Sequence, residues 1–197
     1  VGRPGLAAGV LYLADDADAL HAVDAENGDG MWRFDAGNEI DTKPVFAEGR
    51  VYFGSIDGSL YAVDADTGRE AWNHRFDGPE WDPAMADNAG YPTVADGVVY
   101  YENGVYVCAF DADTGRRLWT YEPGASDGIM LLDVRDGRVL FRDGVEGDGD
   151  ETLYALDART GERLWDDTLG ERTTVAGDVM YYEDGGELHA VSATGRA

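Results

Sequence analysis

The stretch Leu60-Tyr61-Ala62-Val63-Asp64-Ala65-Asp66-Thr67-Gly68, with Trp72 following, recurs along the chain. It returns as Val107 to Gly115 with Trp119, and again as Leu153 to Gly161 with Trp165. A looser copy runs from Leu20 to Gly28 with Trp32, and Leu188-His189-Ala190-Val191-Ser192 opens another. A period of roughly 40 to 47 residues with one tryptophan per copy predicts propeller blades.

The second copy shows how one blade is built. Pro44-Val45-Phe46-Ala47, Val51-Tyr52-Phe53-Gly54, Leu60-Tyr61-Ala62-Val63 and Glu70 to Phe76 read as four short strands. Glu48-Gly49, Asp57-Gly58 and Asp66-Thr67-Gly68 punctuate them, which predicts an antiparallel meander. Glycine supplies positive φ in such turns, while aspartate and threonine bond back to the local backbone. The blades are expected at about 4–35, 44–76, 92–122, 129–169 and 173–197, in a single all-β repeat array over residues 1–197. The fifth copy stops before a tryptophan strand, so four blades are complete and one is partial.

Charge narrows the partners. The formal net charge is −25, and Lys43 is the only lysine. Acidic disordered chains are lean in aromatics, whereas this one is 11% aromatic and strongly patterned. The coat of carboxylates resembles the surfaces of proteins from salt-accumulating halophilic archaea, in which concentrated salt screens self-repulsion. Such a surface repels phosphate backbones and anionic lipid, so neither nucleic acid nor membrane is an expected partner. No apolar run reaches the roughly 18 residues of a membrane-spanning segment.

The motif Leu-Tyr-Ala-Val-Asp-Ala-Asp-Thr-Gly-Arg-x-x-Trp resembles the repeat of pyrroloquinoline-quinone-type (PQQ-like) β-propellers. The resemblance covers nearly the whole chain. It implies that Trp32, Trp72, Trp119 and Trp165 are docking residues between blades, with weaker docks where Asn27 replaces threonine and Ser192 replaces aspartate. Family propellers close with seven or eight blades. The chain is therefore read as part of a larger propeller, in preference to a five-bladed ring; completion by missing blades or by another chain is the corresponding expectation.

Candidate binding residues lie where the repeat is interrupted. The inter-blade segment 77–91 carries Trp81, the one tryptophan out of register, with Asp82, Met85 and Tyr91. The segment 143–151 is the longest link between second and third strands. Both are expected on one face, and loops that lengthen on one face of a repeat array commonly bind partners. The alternative is that Trp81 only packs over the propeller edge.

Asp148-Gly149-Asp150-Glu151 has oxygen ligands suited to calcium but lacks the spacing of a calcium loop, so solvated carboxylates are preferred. Asp15, Asp16 and Asp18 receive the same reading. Cys108 is the single cysteine and holds the register position of Tyr61, His21, Tyr154 and His189, which marks it, His21 and His189 as strand residues. His74 lies beside Trp72 with no partner visible in the sequence. No catalytic or phosphate-binding motif is present, so no catalytic, cofactor or metal residue is assigned.

The expected function is a non-catalytic scaffold or protein-interaction propeller, extracellular or at the cell surface, with an unidentified protein partner. The resemblance also admits a segment of a quinoprotein dehydrogenase using PQQ with calcium, or the sensor propeller of a membrane protein. In such dehydrogenases adjacent cysteines and a stacking tryptophan clamp the quinone. A lone Cys108 disfavours that cofactor here, and none is expected.

Overall fold

The computed structural model describes residues 4–40, 42–77, 90–124, 128–144, 151–169, 174–176, 179–184 and 187–192. Every regular element among them is a β-strand. Blade 1 holds β1 (Gly5–Ala7), β2 (Val10–Ala14), β3 (Ala19–Asp24) and β4 (Gly30–Asp35). Blade 2 holds β5 (Val45–Ala47), β6 (Arg50–Ser55), β7 (Ser59–Asp64) and β8 (Glu70–Arg75). Blade 3 holds β9 (Thr93–Ala95), β10 (Val98–Glu102), β11 (Val107–Asp111) and β12 (Arg117–Tyr121). Blade 4 holds β13 (Ile129–Arg135), β14 (Arg138–Asp143), β15 (Glu151–Asp157) and β16 (Arg163–Leu169). Blade 5 has three described strands, β17 (Thr174–Ala176), β18 (Val179–Asp184) and β19 (Glu187–Ser192). Each sheet is an antiparallel meander in chain order, the geometry of a propeller blade.

One register repeats through the sheets. Tyr12, Ala22 and Trp32 lie opposite one another across β2, β3 and β4. Tyr52, Ala62 and Trp72 do the same in blade 2, and Tyr100, Ala109 and Trp119 in blade 3. Blade 4 substitutes Leu140 for the tyrosine, ahead of Ala155 and Trp165. Directly after the alanine the register shifts in all four blades, at Ala22/Val23, Ala62/Val63, Ala109/Phe110 and Ala155/Leu156. Such an irregularity bends a strand and re-aims its side chains.

Backbone hydrogen bonds distinguish two ends of each blade. At one end the turn between the third and fourth strands leans on the first hairpin: Ala25 N donates to Gly9 O, Ala65 N to Gly49 O, Ala112 N to Gly97 O and Ala158 N to Gly137 O, at 2.8 to 3.0 Å. At the other end the inter-blade connection ties to the link between the second and third strands. Ala36 N donates to Asp18 O at 2.9 Å, Phe76 N to Gly58 O at 2.8 Å and Gly90 N to Glu102 O at 3.2 Å. The first hairpin has both central residues at positive φ, as in Glu48-Gly49 (52° and 75°), and the same holds for Ala8-Gly9, Asp96-Gly97 and Asp136-Gly137. That is a type I′ turn, whose twist matches the flanking strands.

The core lies between the sheets. Buried side chains form clusters that each draw on two adjacent blades: Tyr12, Leu20 and Ala22 with Val51, Phe53 and Val63; then Tyr52, Leu60 and Trp72 with Val99, Tyr101 and Phe110; then Tyr100, Ala109 and Trp119 with Val139, Phe141 and Leu156. The first strands of successive blades also meet, β1 with β5, β5 with β9, β9 with β13 and β13 with β17. Gly5 is required there, because a Cβ on it would overlap the Pro44 carbonyl. Among the described residues no helix is long and apolar enough to cross a membrane.

Candidate interaction face and the seams that support it

Three of the repeat tryptophans reach across the seams to a carbonyl of the next blade. Trp32 Nε1 donates to the Ala65 carbonyl at 2.8 Å, Trp72 Nε1 to Ala112 at 3.0 Å and Trp119 Nε1 to Ala158 at 2.9 Å. Each indole therefore reaches forward into the next blade. Its face lies on a glycine there: a Cβ on Gly68, Gly115 or Gly161 would come within 2.6 to 2.7 Å of the ring of Trp32, Trp72 or Trp119. These glycines also hold φ of +66°, +68° and +72°, so glycine is needed both for the conformation and for the close approach.

The turn that presents the receiving carbonyl is rigid. Asp64 Oδ1 accepts bonds from Thr67 N at 2.8 Å and Thr67 Oγ1 at 2.6 Å, and Asp111 with Thr114 repeats both lengths. Asp157 accepts from Thr160 N at 2.8 Å and Oγ1 at 3.0 Å. These donors, the threonines first, hold all three carboxyls below the ordinary aspartate range. In blade 1 Asn27 offers only its backbone amide, 3.1 Å from Asp24 Oδ1.

Two further contacts in the seams had no recognised signal in the repeat. The second-strand tyrosine rings lie 5.8 to 5.9 Å from the docking indoles, as Tyr12–Trp32, Tyr52–Trp72 and Tyr100–Trp119. Tyr52 and Tyr100 also donate, at 3.3 Å, to the same Ala112 and Ala158 carbonyls as the indoles. Two residues after the tryptophan comes a second wedge. Phe34 packs on Phe53 and Tyr61 of blade 2, and Tyr121 on Phe141 and Tyr154 of blade 4. His74 fills that position in blade 2, its ring 4.8 Å from Phe110 of blade 3.

The seam between blades 4 and 5 is different. Trp165 is half-buried, and its Nε1 has no hydrogen-bond partner among the described residues. Leu140 supplies no ring or hydroxyl, and the register equivalent of the accepting alanine, Ala193, lies outside the described residues.

Of the candidate interaction residues, Trp81, Asp82 and Met85 lie outside the described residues, as does the segment 145–150 with Asp148 and Asp150. Tyr91 is described and is 45% exposed. It follows Gly90, whose backbone is pressed against Glu102; a Cβ at Gly90 would overlap the Glu102 carboxyl. Glu102 is 3% exposed and Asn103 1%. The carboxyl accepts a bond from Gly104 N at 3.0 Å, yet burial outweighs this and pushes its pKa up to about 8. At neutral pH this buried acid favours its protonated form, and it packs directly against Gly90, next to Tyr91. Nothing in the local string marks it, because one glutamate among 40 acidic residues stands out only through its burial.

This acid makes pH dependence testable. Its folded pKa lies above the unfolded value, so between about pH 4.5 and 8 the folded state holds a proton that the unfolded state has lost. Its contribution is intact below that window and is lost as pH rises through it, with a limiting slope of about 1.4 kcal/mol per pH unit. Urea denaturation at pH 5 to 8 is expected to show this slope, and Glu102→Gln to flatten it.

Other polar candidates are accounted for locally. Asp15, expected as a solvated carboxylate, bonds to His21 Nε2 at 2.7 Å and accepts from Ala17 N and Ala19 N at 2.9 Å. The His21 bond first, and these amides, lower its pKa to about 2. Cys108 is 1% exposed, with Sγ 3.6 Å from Thr120 Oγ1. Among the described residues no group of three or more His, Cys, Asp or Glu side chains is arranged to hold a metal.

Comparison with known proteins gives two kinds of relative. The 1-butanol dehydrogenase (cytochrome c) of Thauera butanivorans is 37% identical over 97 residues, which is 46% of this chain and 13% of that protein. The quinohemoprotein alcohol dehydrogenase of Comamonas testosteroni is 40% identical over 80 residues, 38% of this chain and 11% of that one. Among solved structures, BamB from Moraxella catarrhalis superposes with a TM-score of 0.70 at 20% identity, covering 98% of this chain and 61% of its own. The Comamonas testosteroni quinohemoprotein alcohol dehydrogenase gives 0.70 at 18% identity, covering 98% and 41%. The chain thus spans less than two thirds of each of these proteins, and the structural likeness shows the propeller fold. The PQQ_2 family model, described as outer membrane protein assembly factor BamB, matches residues 1–82, 78–145 and 148–197, and on that match the chain belongs to this family.

Proposed function

We propose that the chain is a non-catalytic propeller scaffold that binds a protein partner through its loop-bearing end, outside the cytoplasm. One observation carries the reading. The recurring side chains are used in the seams, whereas the conspicuous non-repeating residues, Gly90, Tyr91 and the buried Glu102, gather at one end. The segment with Trp81, Asp82 and Met85 directly precedes Gly90 in the sequence. An exposed aromatic beside a rigid base suits protein recognition. The family description, an outer membrane protein assembly factor, supports both the scaffold role and the location.

The second reading, part of a quinone-dependent alcohol dehydrogenase, is favoured by relatives at 33 to 40% identity. Cys108 is the single cysteine of this segment, which spans 13% of the 1-butanol dehydrogenase, and it is buried, so on that reading the adjacent cysteine pair would lie elsewhere in the protein. No cluster suited to calcium exists among the described residues.

Two measurements separate the readings. Titration with PQQ and calcium is expected to leave the absorbance and melting temperature unchanged; saturable stabilisation would favour the enzyme. A photo-crosslinking residue at Tyr91 is expected to trap a discrete partner in cell-envelope extract of the source organism, competed by unmodified protein. The same probe at Leu164, 49% exposed, serves as the control. Equal yields from both positions would count against the loop-bearing end.

A further inference from the structure

Glu102 closes β10 two residues beyond Tyr100, on the face of that strand that packs against blade 4. The corresponding place holds Ala14 in blade 1 and Gly54 in blade 2. In blade 4 it holds Arg142, whose guanidinium reaches Met130 Sδ at 3.3 Å. Blade 3 thus buries an ionisable group where blades 1 and 2 place a methyl or less. Its carboxyl touches two connections at once. Oε2 accepts from Gly104 N, at 3.0 Å, in the link between second and third strands. On the other side stands Gly90, in the connection from blade 2, whose N–H bonds the Glu102 backbone carbonyl at 3.2 Å and which has no room for a Cβ beside the carboxyl. Burial dominates over both amides and favours the protonated form. The titratable or charged side chains on the elements around this face are Tyr121 of β12, Asp133 and Arg135 of β13, Arg142 and Asp143 of β14 and Tyr154 of β15. β9 has none, and Asp111 of β11 is taken up by Thr114 at the far end of the blade. Among the described residues none of these bears on the Glu102 proton, so a carboxylate here would be a buried charge without compensation.

We propose that Glu102 is a pH-operated clasp: protonated and buried, it holds the Gly90–Tyr91 connection to the Gly104 link, and on losing its proton it admits water and releases both. The consequence for partner binding rests on the reading of this end as the partner face; the opening itself does not. With the clasp closed, Tyr91 stands on a fixed base and needs no ordering when a partner docks. The open form must be ordered first, so capture weakens as pH rises. The sign follows from linkage. The closed form keeps its proton up to about pH 8, whereas a hydrated carboxyl releases it near 4.5. Opening therefore becomes about tenfold more favourable per pH unit between these values, and no more so above them. Gly90 and Gly104 lie in connections outside the strands, so they can part while the ladders of blade 3 persist.

Amide hydrogen exchange of the intact chain, followed by NMR from about pH 5 to 8, tests the clasp. After correction for intrinsic exchange, protection of Gly90 and Gly104 is expected to fall about tenfold per pH unit. It should respond little to low urea, the mark of a local opening. Glu102→Gln, neutral at every pH, should make both profiles flat. Glu102→Ala, which places the residue of blade 1 in blade 3, should leave both amides weakly protected throughout while Ala65 and Gly68 in blade 2 keep their protection. Flat profiles in the unsubstituted chain, or sloping ones in Glu102→Gln, would overturn the proposal. So would loss of protection at Gly90 and Gly104 only in step with Ala65 and Gly68, which would reduce Glu102 to a contributor to global stability. The Tyr91 crosslink to a partner is expected to weaken severalfold between about pH 6 and 8, and to stay constant in Glu102→Gln. Equal capture at both pH values would overturn the coupling of clasp to partner. No captured partner at either pH, beside sloping exchange profiles, would count against the partner face and leave the clasp standing.

Discussion

Trp72→Ala is expected to destabilise the chain by about 3 to 5 kcal/mol, the range for truncating a buried large aromatic. Trp72 is 8% exposed, donates to Ala112 O and contacts Tyr52, Phe110 and Gly115. Its removal opens a cavity along the seam between blades 2 and 3 that neither sheet can collapse into. The effect should be graded along the array. Trp165→Ala is expected to lose only about 1 to 2 kcal/mol, because that indole is half-buried, lacks an acceptor among the described residues and faces Leu140 in place of a tyrosine. Urea denaturation followed by far-ultraviolet circular dichroism measures both. Equal losses at the two positions would mean that the seams are equivalent and that the tyrosine and carbonyl contacts contribute little.

The second large effect is that of salt. A formal net charge of −25 leaves the folded surface under self-repulsion that bulk ions must screen. If each excess carboxylate is relieved of about 0.2 kcal/mol, the size of a like-charged surface pair, the total is on the order of 5 kcal/mol. For a chain of this size that corresponds to a rise in Tm of roughly 10 to 20 °C. Most of the change should fall between about 0.01 M and 1 M salt, over which the screening length shrinks from roughly 30 Å to 3 Å. Calorimetry across that series checks it, with a flat Tm as the contrary outcome. The ion pair Arg50–Asp113, at 2.7 Å across the seam of blades 2 and 3, offsets little of the repulsion because its aspartate is 83% exposed.

The blades were legible because their signal is periodic. Strand alternation, glycine turns and one tryptophan per copy all point to the same meander, and the chain's four-stranded sheets follow it. Legibility ended where a residue's role depends on the neighbouring blade. Tyr12, Tyr52 and Tyr100 read as ordinary strand aromatics, yet they stand beside the docking indoles because the register places them opposite the same alanine as the tryptophan. Asp15 was indistinguishable from dozens of other acids until its turn brought it to His21. Glu102 was hidden for the same reason: burial is a property of the fold around a residue, and nothing in the local string Tyr101-Glu102-Asn103 announces it. Gly28 is the converse case, a repeat residue over which no indole of the described blades lies.

The sheets of blades 1 to 4 are joined by indoles that hydrogen-bond forward into the next blade. Hydrogen exchange of the indole N–H groups, resolved by NMR, reads this directly. Trp72 and Trp119 are expected to exchange at least a hundredfold more slowly than a free indole, with Trp165 clearly faster than either. Exchange of Trp72 and Trp119 at the rate of a solvent-exposed indole would contradict the account.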